Sequence, residues 1–157
     1  MAEELKISEG SKEDKYRLLY TQVQAVVEGE ADIIANMANI SSMLHYTFGF
    51  WWTGFYRVYD DMLLLGPFQG PLACSRIAFG KGVCGTAWKE KRVQIVDDVQ
   101  LFPGHIACSS ESKSEIVVPL LADGCVTAVL DIDSDRYSTF DECDSRWLEK
   151  IVALISR

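Results

Sequence analysis

Residues 115–133 read EIVVPLLADGCVTAVLDID. Two apolar runs, 115–122 and 125–133, flank Asp123-Gly124, a dipeptide that favours a tight two-residue hairpin turn. Residues two apart along a strand share a face. Asp131 and Asp133 therefore point to one side of the second strand, while Leu130 and Ile132 point to the other and suit a layer of helices. Cys125 falls on the same alternating face as Asp131. Glu115 lies on the neighbouring strand and can join the two aspartates.

The flanking sequence extends this hairpin into a sheet. Residues 50–59 are aromatic and strand-like, with Trp52, Gly54 and Tyr56 on one face. Asp60-Asp61 makes the turn into a second strand over 62–68. A brief strand follows at 76–78, then a short helix at 83–91, a strand at 94–99 and an irregular stretch at 100–113. At the N-terminal end, Ser11 and Asp14 resemble a capping box. Tyr16, Leu19, Tyr20, Val23 and Val26/Val27 recur at helical spacing behind it. A second helix carries Ile33, Ile34, Met37, Ile40, Met43 and Leu44 on one face. Thr139 or Asp141 caps a last helix with Trp147, Leu148, Ile151, Val152 and Ile155. The predicted fold is α+β, a mostly antiparallel sheet of about six strands. The N- and C-terminal helices pack on one face, and the loops of 74–113 cover a ligand pocket on the other.

Composition narrows the function. The chain has 157 residues, 48% hydrophobic and 24% charged, which predicts one folded domain over 11–157 behind a flexible N-terminus at 1–10. A net charge of −8 without a basic cluster argues against nucleic acid. The charged N-terminus lacks a secretory pattern, and no run approaches the roughly 20 apolar residues of a membrane span. A cytoplasmic protein is expected. Five cysteines are an odd number, and a reducing compartment disfavours structural disulfides. The spacing Cys74, Cys84, His105, Cys108 contains no close ligand pair, which argues against structural zinc.

Three of these cysteines stand in glycine-framed segments, where backbone can approach a small ligand closely. The segments Trp52-Thr-Gly-Phe-Tyr56, Leu65-Gly-Pro-Phe-Gln-Gly70, Ala73-Cys74, Gly82-Val-Cys-Gly85, Phe102-Pro-Gly-His-Ile-Ala-Cys108, Ser114-Glu-Ile-Val-Val-Pro119 and Leu130-Asp-Ile-Asp-Ser134 occur in that order. Together they closely resemble the free methionine-(R)-sulfoxide reductases, single-domain enzymes of the GAF fold. The match spans about two-thirds of the chain, from about Trp51 to Glu149.

The resemblance implies a cytosolic oxidoreductase acting on free methionine sulfoxide, recycled by a thioredoxin-type donor and needing no metal or organic cofactor. Many members are homodimers, although nothing in this sequence specifies an interface. It also implies Cys108 as nucleophile and Cys74 as its resolving partner. Cys84 is the alternative resolver, or the nucleophile itself, since its place beside a helix N-terminus would lower its pKa. Glu115, Asp131 and Asp133 would share a pocket, raise at least one pKa by mutual repulsion, and divide proton donation and ammonium binding between them. Trp52 and Tyr56 would enclose the S-methyl group, and the N–H groups of the 80–85 loop would meet the substrate carboxylate. His105 stays outside the catalytic set. The rival reading is a non-catalytic GAF sensor of small ligands or redox state.

Overall fold

The computed structural model describes residues 4–105 and 111–156. Two helices open it, α1 (Lys12–Val27) and α2 (Ile33–Phe48). The hairpin β1 (Trp52–Tyr59) and β2 (Met62–Gln69) follows, then β3 (Arg76–Ala78), α3 (Gly82–Glu90) and β4 (Gln94–Val96). After a single 3-10 turn at Val99–Leu101 come β5 (Ser114–Ala122), β6 (Cys125–Ser134) and α4 (Glu142–Ala153). Six strands form one antiparallel sheet in the order β3-β2-β1-β6-β5-β4. This is the α+β architecture the sequence predicts.

Local chemistry explains the corners. Asp60 and Asp61 adopt φ of 45° and 61°, and Asp123 and Gly124 adopt 51° and 77°. Such paired positive values belong to turns whose twist matches a hairpin, and Asp and Gly tolerate them best. Ser11 and Asp14 complete a capping box at the start of α1, and Asp141 and Asp144 complete another at α4.

One face of the sheet carries the main apolar core. Here α2 packs on β1 and β2, α4 packs on β5, and α1 rests against α2 and α4. Phe55, Ile116, Val118, Leu130 and Ile132 supply the sheet's share of this core. The layer is pinned by one buried carboxylate. Asp144, 1% exposed, accepts hydrogen bonds from the Tyr16 hydroxyl and, at 2.7 Å, from Lys12 Nζ. Two predicted core residues lie elsewhere: Ile33 and Ile34 are 38% and 39% exposed, and the buried face of α2 runs through Asn36, Met37, Ile40, Met43 and Leu44. They occupy the first turn of the helix, before it reaches the sheet.

The opposite face holds α3 and a second apolar cluster that includes Trp52, Tyr56, Val83, Cys84, Val117 and Val129. A register shift between Leu120 and Leu121 pairs Leu120 with Ala128 and Leu121 with Val126, leaving Thr127 as an extra residue in β6. Such a bulge reverses the alternation beyond it. Val126, rather than Cys125, therefore joins the cluster containing Val129, and Cys125 is exposed. The expected shared face of Cys125 and Asp131 is lost at this point.

Asp144→Ala is expected to lower unfolding free energy by roughly 2–3 kcal/mol, because it strands the Tyr16 hydroxyl and a lysine hydrogen bond. Urea unfolding at neutral pH measures this. A loss below about 0.5 kcal/mol, the range of an ordinary surface change, would contradict it.

Candidate active site

Strand register assembles the site. Trp52 of β1 faces Asp133 of β6, which faces Glu115 of β5. In the next row, Gly54 faces Asp131, which faces Val117. Directly opposed residues of antiparallel strands share a face, so three carboxyl groups and an indole converge on the side covered by α3. Glu115 and Asp131 are each 6% exposed.

Gly54 makes room for the aromatic wall. A Cβ at that position would collide with Phe68 Cβ and lie 2.7 Å from the Trp52 indole. The Trp52 ring stacks on Tyr56 at 5.9 Å and on Phe68 at 5.2 Å. Both aromatics also reach beyond the wall. Trp52 Nε1 donates to the Pro71 carbonyl at 3.1 Å, and the Tyr56 hydroxyl donates to the Cys74 carbonyl at 2.9 Å. The segment carrying Cys74 is thereby fastened above the acids. Cys74 is disulfide-bonded, whereas Cys84, Cys125 and Cys143 are free thiols. Cys108 lies outside the described residues.

Cys84 enters from the first turn of α3, a helix that packs against β5 and β6. Its Sγ and carboxylate oxygens of Glu115 and Asp131 all lie within 4.8 Å of one another. Among the described residues, these three form the donor set that could hold a metal ion. Trp52, Tyr56, Cys84, Glu115, Asp131 and Asp133 line one cavity of about 50 Å³. Trp51, Lys81, His105 and Ser112 also line it; the sequence analysis left His105 outside the catalytic set and did not single out the other three side chains. Ser112 donates to Asp133 Oδ1 at 2.8 Å. Lys81 is the N-cap residue of α3, so a side-chain cation and a helix N-terminus stand side by side. Its position immediately before Gly82 was the available signal; Ser112 offered none.

Burial sets the protonation of the site. It pushes the Glu115 carboxyl well above the ordinary range, and the charges of Asp131 and Asp133 push it further. Asp133 is raised mainly by burial and then by Asp131, against a hydrogen bond from Ser112. Asp131 is also raised by burial, but hydrogen bonding to Glu115 and Cys84 opposes the shift. Asp131 is thus the acid whose ionised form two neighbouring side chains hydrogen-bond. The Cys84 thiol is pushed well above its usual value, first by complete burial and then by the neighbouring acids. The lowering expected from its helix N-terminus does not occur, because desolvation of a thiolate outweighs the partial charge of one helix end.

These features belong to a GAF-type fold with a cavity lined by one thiol and three acids. A family model described as "GAF domain" matches residues 24–157. The chain is 53% identical over 156 residues to "GAF domain-containing protein A" of Dictyostelium discoideum, covering 99% of both chains. It is 43% identical over 148 residues to the free methionine-R-sulfoxide reductase of Escherichia coli, covering 94% of this chain and 90% of that one. Among solved structures, the free methionine-R-sulfoxide reductase of Neisseria meningitidis in complex with its substrate superposes with a TM-score of 0.95 at 47% identity, covering 98% of this chain and 93% of that one. The chain belongs to the GAF-domain family, within its branch of free methionine-R-sulfoxide reductases.

Gly54→Ala is expected to cost about 1–3 kcal/mol of stability, since the new methyl must displace Trp52 or Phe68. Chemical denaturation with tryptophan fluorescence reads both the loss and the changed indole environment. Unchanged stability and emission would contradict the close packing over Gly54.

Proposed function

We propose that the protein reduces free L-methionine (R)-S-oxide to L-methionine by cysteine chemistry. The observation that carries this reading is the convergence of Glu115, Asp131, Asp133, Trp52 and Tyr56 on one cavity beneath the Cys74 segment. Family membership supports the same reading.

In the proposed cycle the Cys108 thiolate attacks the sulfoxide sulfur. The S–O bond breaks, the oxygen ends on Cys108 as sulfenic acid, and a proton supplied by the site keeps the charge balanced. The Cys74 thiol then condenses with that sulfenic acid, releasing water and leaving a disulfide. A dithiol donor of the thioredoxin type returns both cysteines to thiols and is itself oxidised to a disulfide. Support for Cys74 as resolver comes from its disulfide-bonded state while Cys84 is a free, fully buried thiol.

The acids divide the remaining work. Asp131, whose ionised form Glu115 and Cys84 hydrogen-bond, holds the substrate ammonium, and Glu115 or Asp133 delivers the proton to oxygen. Trp52 and Tyr56 receive the methyl end, where sulfur–aromatic contact contributes about 0.3–1.5 kcal/mol. Lys81 and the N-terminus of α3 meet the substrate carboxylate. A peptide-bound methionine sulfoxide lacks the free ammonium. Leaving Asp131 buried without that partner costs on the order of 3–5 kcal/mol, which selects the free amino acid.

Incubation with racemic free methionine sulfoxide and dithiothreitol, followed by chromatography of methionine, tests the activity. Consumption of one epimer is expected; ligand binding without turnover would support a sensor instead. Glu115→Gln and Asp133→Asn are expected to lower kcat/KM by at least about 100-fold, the range for loss of a general acid. Far-ultraviolet circular dichroism should stay unchanged in both. Full activity in both variants would remove the acid role. Cys108→Ser is expected to abolish even single-turnover methionine formation, and retention of a single turnover would assign the nucleophile elsewhere.

A further inference from the structure

The floor of the cavity combines three donor atoms from three separate elements. Cys84 comes from α3, Glu115 from β5 and Asp131 from β6. Their ligating atoms lie within 4.8 Å of one another, and all three residues are buried. Donors sharing a tetrahedral zinc at about 2.0–2.3 Å stand roughly 3.3–3.8 Å apart. Side-chain rotations of well under a rotamer step close that difference.

A second observation points the same way. Asp131 is 6% exposed, and among the described residues its Oδ1 has no hydrogen-bond partner. A buried carboxylate oxygen without a donor is costly and calls for a cation or a proton. Cys84 is free of any disulfide. Sulfur beside two carboxylates disfavours magnesium and calcium, which take oxygen ligands, and suits zinc. Three protein ligands leave a fourth position facing the cavity, the arrangement of an open zinc site.

We propose that Cys84, Glu115 and Asp131 bind one zinc ion at the cavity floor, and that zinc and the amino-acid substrate exclude each other. The exclusion rests on the function proposed above, because Asp131, which holds the ammonium there, also ligates the metal here. Coordination converts the Cys84 thiol to thiolate and releases its proton to solvent. The ion also holds Cys84 away from any role as alternative resolver. None of this is a resident cofactor; it is a reversible block whose ligands are too far apart in sequence to form a recognisable pattern.

The test uses the full chain carrying Cys74→Ser and Cys108→Ser, reduced and stripped with a chelator, so that Cys84 is the thiol left at the cavity. Zinc alone is titrated by calorimetry, and cobalt is titrated for its thiolate charge-transfer band. One equivalent of each is expected, with the cobalt band lost and zinc affinity weakened more than tenfold by adding Cys84→Ala. Glu115→Gln should also weaken zinc more than tenfold while leaving the fold intact. Free methionine sulfoxide, which this variant cannot turn over, should raise the apparent zinc Kd at least tenfold near saturation. Absence of binding, or binding indifferent to Cys84→Ala, overturns the site. Zinc binding indifferent to methionine sulfoxide overturns the exclusion. Turnover by the chelated natural chain, measured separately, keeps the two readings apart. Turnover without zinc binding defeats this inference alone, and zinc binding at Cys84 without turnover supports the site while defeating the proposed function.

Discussion

The register between β5 and β6 is the constraint on which the site depends. It sets Glu115 opposite Asp133, one row from Asp131, on a face closed by α3. Three carboxyl groups in water would simply ionise. Here burial makes charge expensive, so the acids share protons and their protonation becomes a property of the group. A register slip of one residue would turn all three into the apolar helix layer, where Leu130 and Ile132 now pack. The same alternation that builds the core therefore builds the site.

The aromatic wall links that acid floor to the Cys74 segment above it. Gly54 lies in the same row as Asp131, and the missing side chain lets Trp52 fold across the strand. Trp52 and Tyr56 then spend their polar atoms on the carbonyls of Pro71 and Cys74. Packing, hydrogen bonding and placement of the Cys74 segment thus meet in two side chains. This is why one strand face is filled with large rings directly beside acids.

Much of this was legible in the sequence because the relevant rules are local. Asp123-Gly124 and Asp60-Asp61 declare their hairpins through residues that accept positive φ. Period-two alternation then placed Asp131 and Asp133 on one face. What failed depends on tertiary context. The extra residue at Thr127 reverses alternation before Cys125, and no propensity announces a bulge there. Ile33 and Ile34 fit the helical period but precede the helix's contact with the sheet. The thiol of Cys84 does sit near a helix N-terminus, yet the depth of its burial, invisible in sequence, reverses the expected shift. Ser112 reaches the cavity through chain folding alone.

A crystal structure of the reduced chain with free methionine sulfoxide tests the central claim most directly. The ammonium is expected against Asp131, the sulfoxide oxygen against Glu115 or Asp133, and the methyl group against Trp52. An amino acid seated on the side of the sheet covered by α2 and α4, or acids turned outward to bulk water, would contradict it.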